Sequence, residues 1–176
     1  MYAFTHYGVE PDIVVLGKGM ANGVPVDAAV GRAELFAKLG YGAASDTWSG
    51  HPLGCAAVLA TLDEFEQHDV LGHARRLSKG IERSLVRLAE LPTITAVRGE
   101  GTVWGVECAD HAGRSADEIA REIVRTCYLG DDQGRAIHLL GPLSGRVIRI
   151  APPLTMQLED AENYFDALHG IVEKIE

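Results

Sequence analysis

The apolar run Ile13-Val14-Val15-Leu16 ends on Gly17-Lys18-Gly19. Its first three residues are β-branched and favour extended backbone. A short run without polar alternation reads as a strand buried on both faces, as in a parallel sheet. That reading places the chain among α/β folds. Gly17 to Gly23, with three glycines and a lysine, reads as a loop. A second strand is expected near Asp27–Val30, a short helix over Ala33–Leu39, and a loop over Gly40–Ser49.

Beyond this point the helical period dominates. Pro52 to His68 reads as a helix, and the unbroken apolar stretch Cys55–Ala60 predicts burial on most of its sides. Over Val70–Leu91 the apolar residues Ala74, Leu77, Ile81, Leu85 and Leu88 recur at steps of three and four, with arginines and lysine between them. That is an amphipathic helix, and Pro92 ends it. Strands are expected at Thr95–Val97, Val103–Cys108, Ala136–Leu140 and Arg146–Ile150, with a helix over Ser115–Cys127. The last helix, Leu158–Ile175, has an acidic first turn and Lys174 near its end, matching the helix dipole. The turn at His68-Asp69 is the expected boundary between domains spanning 1–68 and 69–176.

Composition narrows the function. The chain has 176 residues, 47% hydrophobic and 23% charged, as in ordinary soluble globular proteins. Its net charge of −9 argues against nucleic acid as a partner, because phosphate binding needs a basic surface. Cys55, Cys108 and Cys127 are widely spaced, with no C-x-x-C. They read as reduced thiols in a cytoplasmic protein, not as a disulfide framework or a zinc site. The histidines show no metal spacing, so no metal site is expected. Met1–Glu10 has the pattern of neither a signal peptide nor a membrane span.

Three places could carry chemistry. Lys18 follows the carboxyl end of a strand, where open α/β sheets bind ligands. A partly desolvated lysine there can lose its proton and attack a carbonyl. On position alone, a solvated loop lysine is the commoner reading. Ser45-Asp46-Thr47-Trp48-Ser49-Gly50-His51-Pro52 sets hydroxyls and backbone N–H groups before a helix, a place suited to phosphate. Helix capping is the simpler reading of those residues. Arg149, inside Val147-Ile148-Arg149-Ile150-Ala151-Pro152-Pro153-Leu154, could grip a carboxylate with two hydrogen bonds. An edge-strand arginine facing water fits its pattern equally. Gly99-Glu100-Gly101 lacks the spacing of a dinucleotide fingerprint.

Taken together, these segments resemble class III pyridoxal-phosphate-dependent aminotransferases over nearly the whole chain. Met1 to Val14 looks like the stretch leading to the family's cofactor lysine, and Lys18 in Leu16-Gly17-Lys18-Gly19-Met20-Ala21-Asn22-Gly23-Val24-Pro25 falls on that lysine. Thr47 to Pro52 is similar to the segment whose threonine reaches the cofactor phosphate of the partner subunit. Arg149 falls on the arginine before Pro-Pro-Leu that binds a substrate carboxylate in many members.

The resemblance implies the C-terminal part of a PLP-transferase type I fold. Residues 1–68 would end the large cofactor-binding domain, and 69–176 would form the small α/β C-terminal domain. It implies pyridoxal 5′-phosphate on a Lys18 Schiff base, Lys18 as proton carrier, an amino acid or amine donor, a 2-oxo acid acceptor, and a homodimer with no nucleic-acid or membrane partner. The family's chains are much longer, and its phosphate-holding glycine loop, ring-stacking aromatic and pyridine-pairing aspartate have no match here. A fragment is therefore expected. A related aminomutase or decarboxylase, or a non-catalytic remnant, would share much of this frame.

Overall fold

A computed structural model describes residues 1–142 and 144–175. After a single helical turn, α1 (Ala3–His6), the run Ile13–Leu16 forms strand β1. It pairs antiparallel with β2 (Ala28–Gly31), Ile13 opposite Gly31 and Leu16 opposite Ala28. The expected burial on both faces is not found. β1 sits in a two-stranded sheet, and Ile13 and Val15 are 51% and 77% exposed. An apolar run tells which faces suit burial, not whether cover is present.

The glycine-rich stretch after β1 is ordered as a 3₁₀ turn, Lys18–Ala21, rather than an open loop. One turn of helix, α2 (Ala33–Phe36), follows β2, and α3 spans Pro52–Gln67. Burial of α3 on most sides is also corrected. Among its described residues only Gly54 is buried, while Leu53 and Leu59 are exposed. Gly54 serves close packing, since a Cβ there would meet Val26 Cγ2 at 2.8 Å.

The chain divides into two units, Met1–Asp69 and Val70–Glu176. The second begins with α4 (Val70–Val86), which tightens into a 3₁₀ turn over Arg87–Glu90. β3 (Ile94–Glu100) turns back through Gly101-Thr102 into β4 (Val103–Cys108). After α5 (Ala116–Leu129) come β5 (Val147–Ile150) and α6 (Leu158–Glu173). The sheet order is β3-β4-β5, antiparallel throughout.

Alternation along β4 buries Trp104, Val106 and Cys108 and leaves Val103, Gly105 and Glu107 on the other face. The buried face joins Ile148 and Ile150 of β5, Leu77, Ile81 and Leu85 of α4, Ile119 and Ile123 of α5, and Leu168 and Val172 of α6 in one core. Each such aliphatic side chain contributes about 1.5–3 kcal/mol by leaving water. α5 starts on a capping box. Ser115 Oγ accepts from Glu118 N at 3.3 Å, and Glu118 Oε2 accepts from Ser115 N at 2.9 Å. These bonds satisfy amide donors that a helix start leaves without partners.

The strand expected at Ala136–Leu140 does not form. Asp131 accepts hydrogen bonds from the amides of Gln133 and Arg135 and from Arg135 Nε, closing a turn. Ile137 N then donates to Cys127 O at 2.7 Å. Leu140 meets the sheet edge at one isolated bridge, opposite Arg149. The local turn and the helix end take the hydrogen bonds a ladder would need.

Candidate functional site

Lys18 follows Gly17, whose backbone is fully extended, and adopts φ +52°. A side chain in this left-handed region costs on the order of 1–2 kcal/mol, and such strain gathers at functional sites. Lys18 is exposed, and the space where a Cβ of Gly19 would stand is open. Met20 N donates to Gly17 O at 3.2 Å, which ties the turn to the end of β1. The turn rests on α3, with Ala21 buried.

Thr47 lies in the loop leading to α3. Its neighbours are held locally: Ser45 Oγ donates to Gly42 O, Asp46 N donates to Ser49 Oγ, and Trp48 N donates to Asp46 Oδ1 at 2.6 Å. The capping reading fails here. The N-cap of α3 is His51, with no side-chain cap bond, although Pro52 does take the first turn. Among the described residues Thr47 makes no hydrogen bond through its hydroxyl. The Lys18 turn packs on α3 and the Thr47 loop leads into it, both in Met1–Asp69.

Arg149 lies in the other unit, on β5. Ile148 and Ile150 are buried on the core face and Arg149 is exposed on the opposite face, as strand alternation requires. Its guanidinium has no hydrogen-bond or ion-pair partner among the described residues. It lines an open cleft of about 360 Å³ with Arg98, Val103, Trp104, Gly105, Gly141, Ser144 and Val147. Arg98, Gly105 and Arg149 lie directly opposite one another across β3, β4 and β5. Glu107, on the same face, accepts from Arg98 Nη2 at 2.7 Å and pairs with Arg146 Nη2 at 3.1 Å. Its side chain is only 14% exposed.

Sequence reasoning missed Arg98, Gly105 and Glu107. Alternation assigns faces within a strand, but only the pairing register sets residues of different strands side by side. Among the described residues no group of three or more His, Cys, Asp or Glu could hold a metal ion. No described helix is long and apolar enough to cross a membrane.

A class-III aminotransferase family model matches residues 1–172. The leucine/methionine racemase of Thermococcus litoralis is 32% identical over 99% of this chain and 39% of its own length. The 2-aminoadipate transaminase of Pseudomonas putida is 33% identical over 99% of this chain and 42% of its own. Among solved structures, the ornithine aminotransferase of Toxoplasma gondii, with PLP partly occupying its active site, superposes with a TM-score of 0.83 at 29% identity, over 97% of this chain and 39% of that one. The α/β architecture is therefore part of the aminotransferase fold of these relatives, and the chain belongs to the class III aminotransferase family. It spans about two fifths of the length of the relatives it matches.

Proposed function

We propose that this chain is part of a pyridoxal-phosphate-dependent transaminase, moving an amino group from an amino acid or amine to a 2-oxo acid. The observation that carries the reading is Lys18: a lysine on a strained turn at the end of β1, exposed between two glycines. The unpartnered Thr47 hydroxyl suits a phosphate oxygen, and the unpartnered Arg149 guanidinium suits a carboxylate.

When bound, pyridoxal 5′-phosphate supplies an aldehyde that takes up amino groups and a ring that accepts the electron pair released at the adjoining carbon. Lys18 Nζ would hold the cofactor and, when free, would carry the proton of the substrate's amino-bearing carbon. The Thr47 hydroxyl would donate to the cofactor phosphate in the site of the second subunit of a homodimer. Arg149 orients a substrate carboxylate through the fork of its guanidinium. In this reading residues 1–68 end the cofactor-binding domain and 69–176 form the small C-terminal domain. The three free cysteines suit a cytoplasmic protein.

Likeness to a racemase favours one second reading, in which the Lys18 amine returns the proton to the same carbon. Both are tested on the polypeptide as its source expresses it. An amino donor and a 2-oxo acid should give the exchanged pair of products, and Lys18→Ala should lower the rate by about 10²–10⁴-fold or more. Inversion of a single amino acid without any 2-oxo acid would favour the racemase. Full transfer by Lys18→Ala would overturn both.

A further inference from the structure

We propose that Asp27 is a positioning residue for Lys18, its carboxylate receiving the Lys18 ammonium when that group is free and keeping it at the end of β1. The inference deepens the transaminase reading and rests on it for the task of the free amine.

The geometry comes from the two ends of the β1–β2 pair. One step beyond Ile13 and Gly31, Asp12 and Arg32 face each other. Arg32 N donates to Asp12 O at 3.2 Å, and Arg32 Nη1 donates to Asp12 Oδ1 at 3.1 Å. One step beyond Leu16 and Ala28, at the opposite end, stand Gly17 and Asp27. A Cβ on Gly17 would lie 3.8 Å from Asp27 Cβ. Gly17 puts no side chain into that space, and the next residue is Lys18. Consecutive Cα atoms are ~3.8 Å apart, which sets Lys18 Cα within about 9 Å of Asp27 Cβ. The flexible four-carbon stem of a lysine closes that span. The path between the two residues is held as well. Asn22 N donates to Gly19 O and Val24 N to Ala21 O, and the ring of Pro25 fixes its own φ. Gly54, in the first turn of α3, packs closely on Val26, next to Asp27.

Charge points the same way. Between Asp12 and Arg32, Lys18 and Asp27 are the only charged residues. Asp12 is engaged with Arg32 at the far end of the pair. α3, the helix packed on the Lys18 turn, carries no charged residue from Pro52 to Leu62, and Cys55 is its one titratable group there. Its acidic residues begin at Asp63, on the order of 13 Å along the helix from Gly54 and more than a Debye length away at ordinary salt. Both the Lys18 and the Asp27 side chains are exposed, and neither has a hydrogen-bond or ion-pair partner among the described residues. An unpaired cation and an unpaired anion thus flank one glycine in an otherwise uncharged stretch. Pairing them keeps a long, flexible arm at the strand end between the steps in which its amine acts.

Trace acetylation with acetic anhydride, followed by peptide mapping, tests this on the full chain with its Lys18 amine free. Lys38, Lys79 and Lys174 serve as references in the same sample, and their unchanged rates report that both units stay folded. An exposed ion pair is worth a factor of about two to five. Asp27→Asn should therefore raise the rate at Lys18 by about two- to fivefold relative to the references. Asp27→Glu, which keeps the charge, should stay near wild type. In about 1 M salt, where the Debye length falls to about 3 Å, the difference between wild type and Asp27→Asn should close. An unchanged Lys18 rate in Asp27→Asn, an equal rise in Asp27→Glu, or a rise that persists at high salt would overturn the pairing. The two readings can fail separately. Unaltered acetylation in Asp27→Asn beside a cofactor label on Lys18 loses only this inference. A salt-sensitive rise in Asp27→Asn without any cofactor label on Lys18 loses only the transaminase reading.

Discussion

Two strands in this chain carry almost the same apolar lettering and meet different fates. In β5, Ile148 and Ile150 are 2% and 4% exposed, closed over by α4, α5 and α6. In β1, Ile13 and Val15 stand largely in solvent. The contrast extends to the units that hold them. Among the described residues, every buried hydrophobic one but Ala21 lies in Val70–Glu176, while Met1–Asp69 exposes Tyr7, Tyr41, Trp48 and Leu59 among others. Cover decides burial, and lettering only permits it. The second unit carries its own core, and the first carries Lys18 and Thr47 on a frame with almost none.

The sharpest way to break that comparison is a pair of truncations. Ile123→Ala empties a fully buried site in α5 and should cost about 2–5 kcal/mol. Val15→Ala, on the open face of β1, should fall within about 0.5 kcal/mol. Denaturant unfolding of both variants checks this, and equal costs would dissolve the distinction between the units.

The cysteines give a second contrast. Burial, with the Glu107 charge as a smaller cause, pushes the Cys108 thiol up to about 11, and burial pushes Cys127 up to about 12. Cys55 is exposed. Near neutral pH one thiol per chain should react rapidly with an alkylating reagent, mapping to Cys55, and all three should react after unfolding. A raised thiol value in the folded state means that the unfolded chain loses its proton first. Stability should therefore hold up to the ordinary value of 9.0 and decline as pH rises through about 11 and 12. Rapid native labelling of Cys108 or Cys127 would show that the core opens more readily than its packing implies.

The smallest effect belongs to the start of α5. Removing the Ser115 hydroxyl with Ser115→Ala should cost about 1 kcal/mol in denaturant unfolding. Hydrogen bonds from the Ser115 backbone and side chain hold the Glu118 carboxyl below its usual range. That contribution is present above the ordinary carboxylate value and is lost as pH falls through the depressed one. The difference between wild type and Ser115→Ala should accordingly narrow in acid.

What could be read from sequence follows the range of each physical signal. The three- and four-residue steps of Leu77, Ile81 and Leu85 reported the buried face of α4, because helical period and facing are local. Alternation likewise put Arg149 opposite Ile148 and Ile150. The strand expected over Ala136–Leu140 failed because Asp131 captured the local amides, a turn signal that apolar lettering hides. The exposure of β1 and α3 was illegible because it depends on what lies against them. The Arg98–Gly105–Arg149 row was illegible for a related reason, since three residues of three strands become neighbours only through register.

The central claim is that the chemistry resides on Lys18 in the sparsely cored unit. Borohydride reduction in the presence of pyridoxal 5′-phosphate, followed by peptide mapping, tests it most directly. The chain has three other lysines, Lys38, Lys79 and Lys174, to serve as internal controls. The account predicts one stable phosphopyridoxyl label, on the peptide containing Gly17-Lys18-Gly19, and its loss in Lys18→Ala. A dominant label on Lys38, Lys79 or Lys174, or an undiminished label in Lys18→Ala, would contradict it.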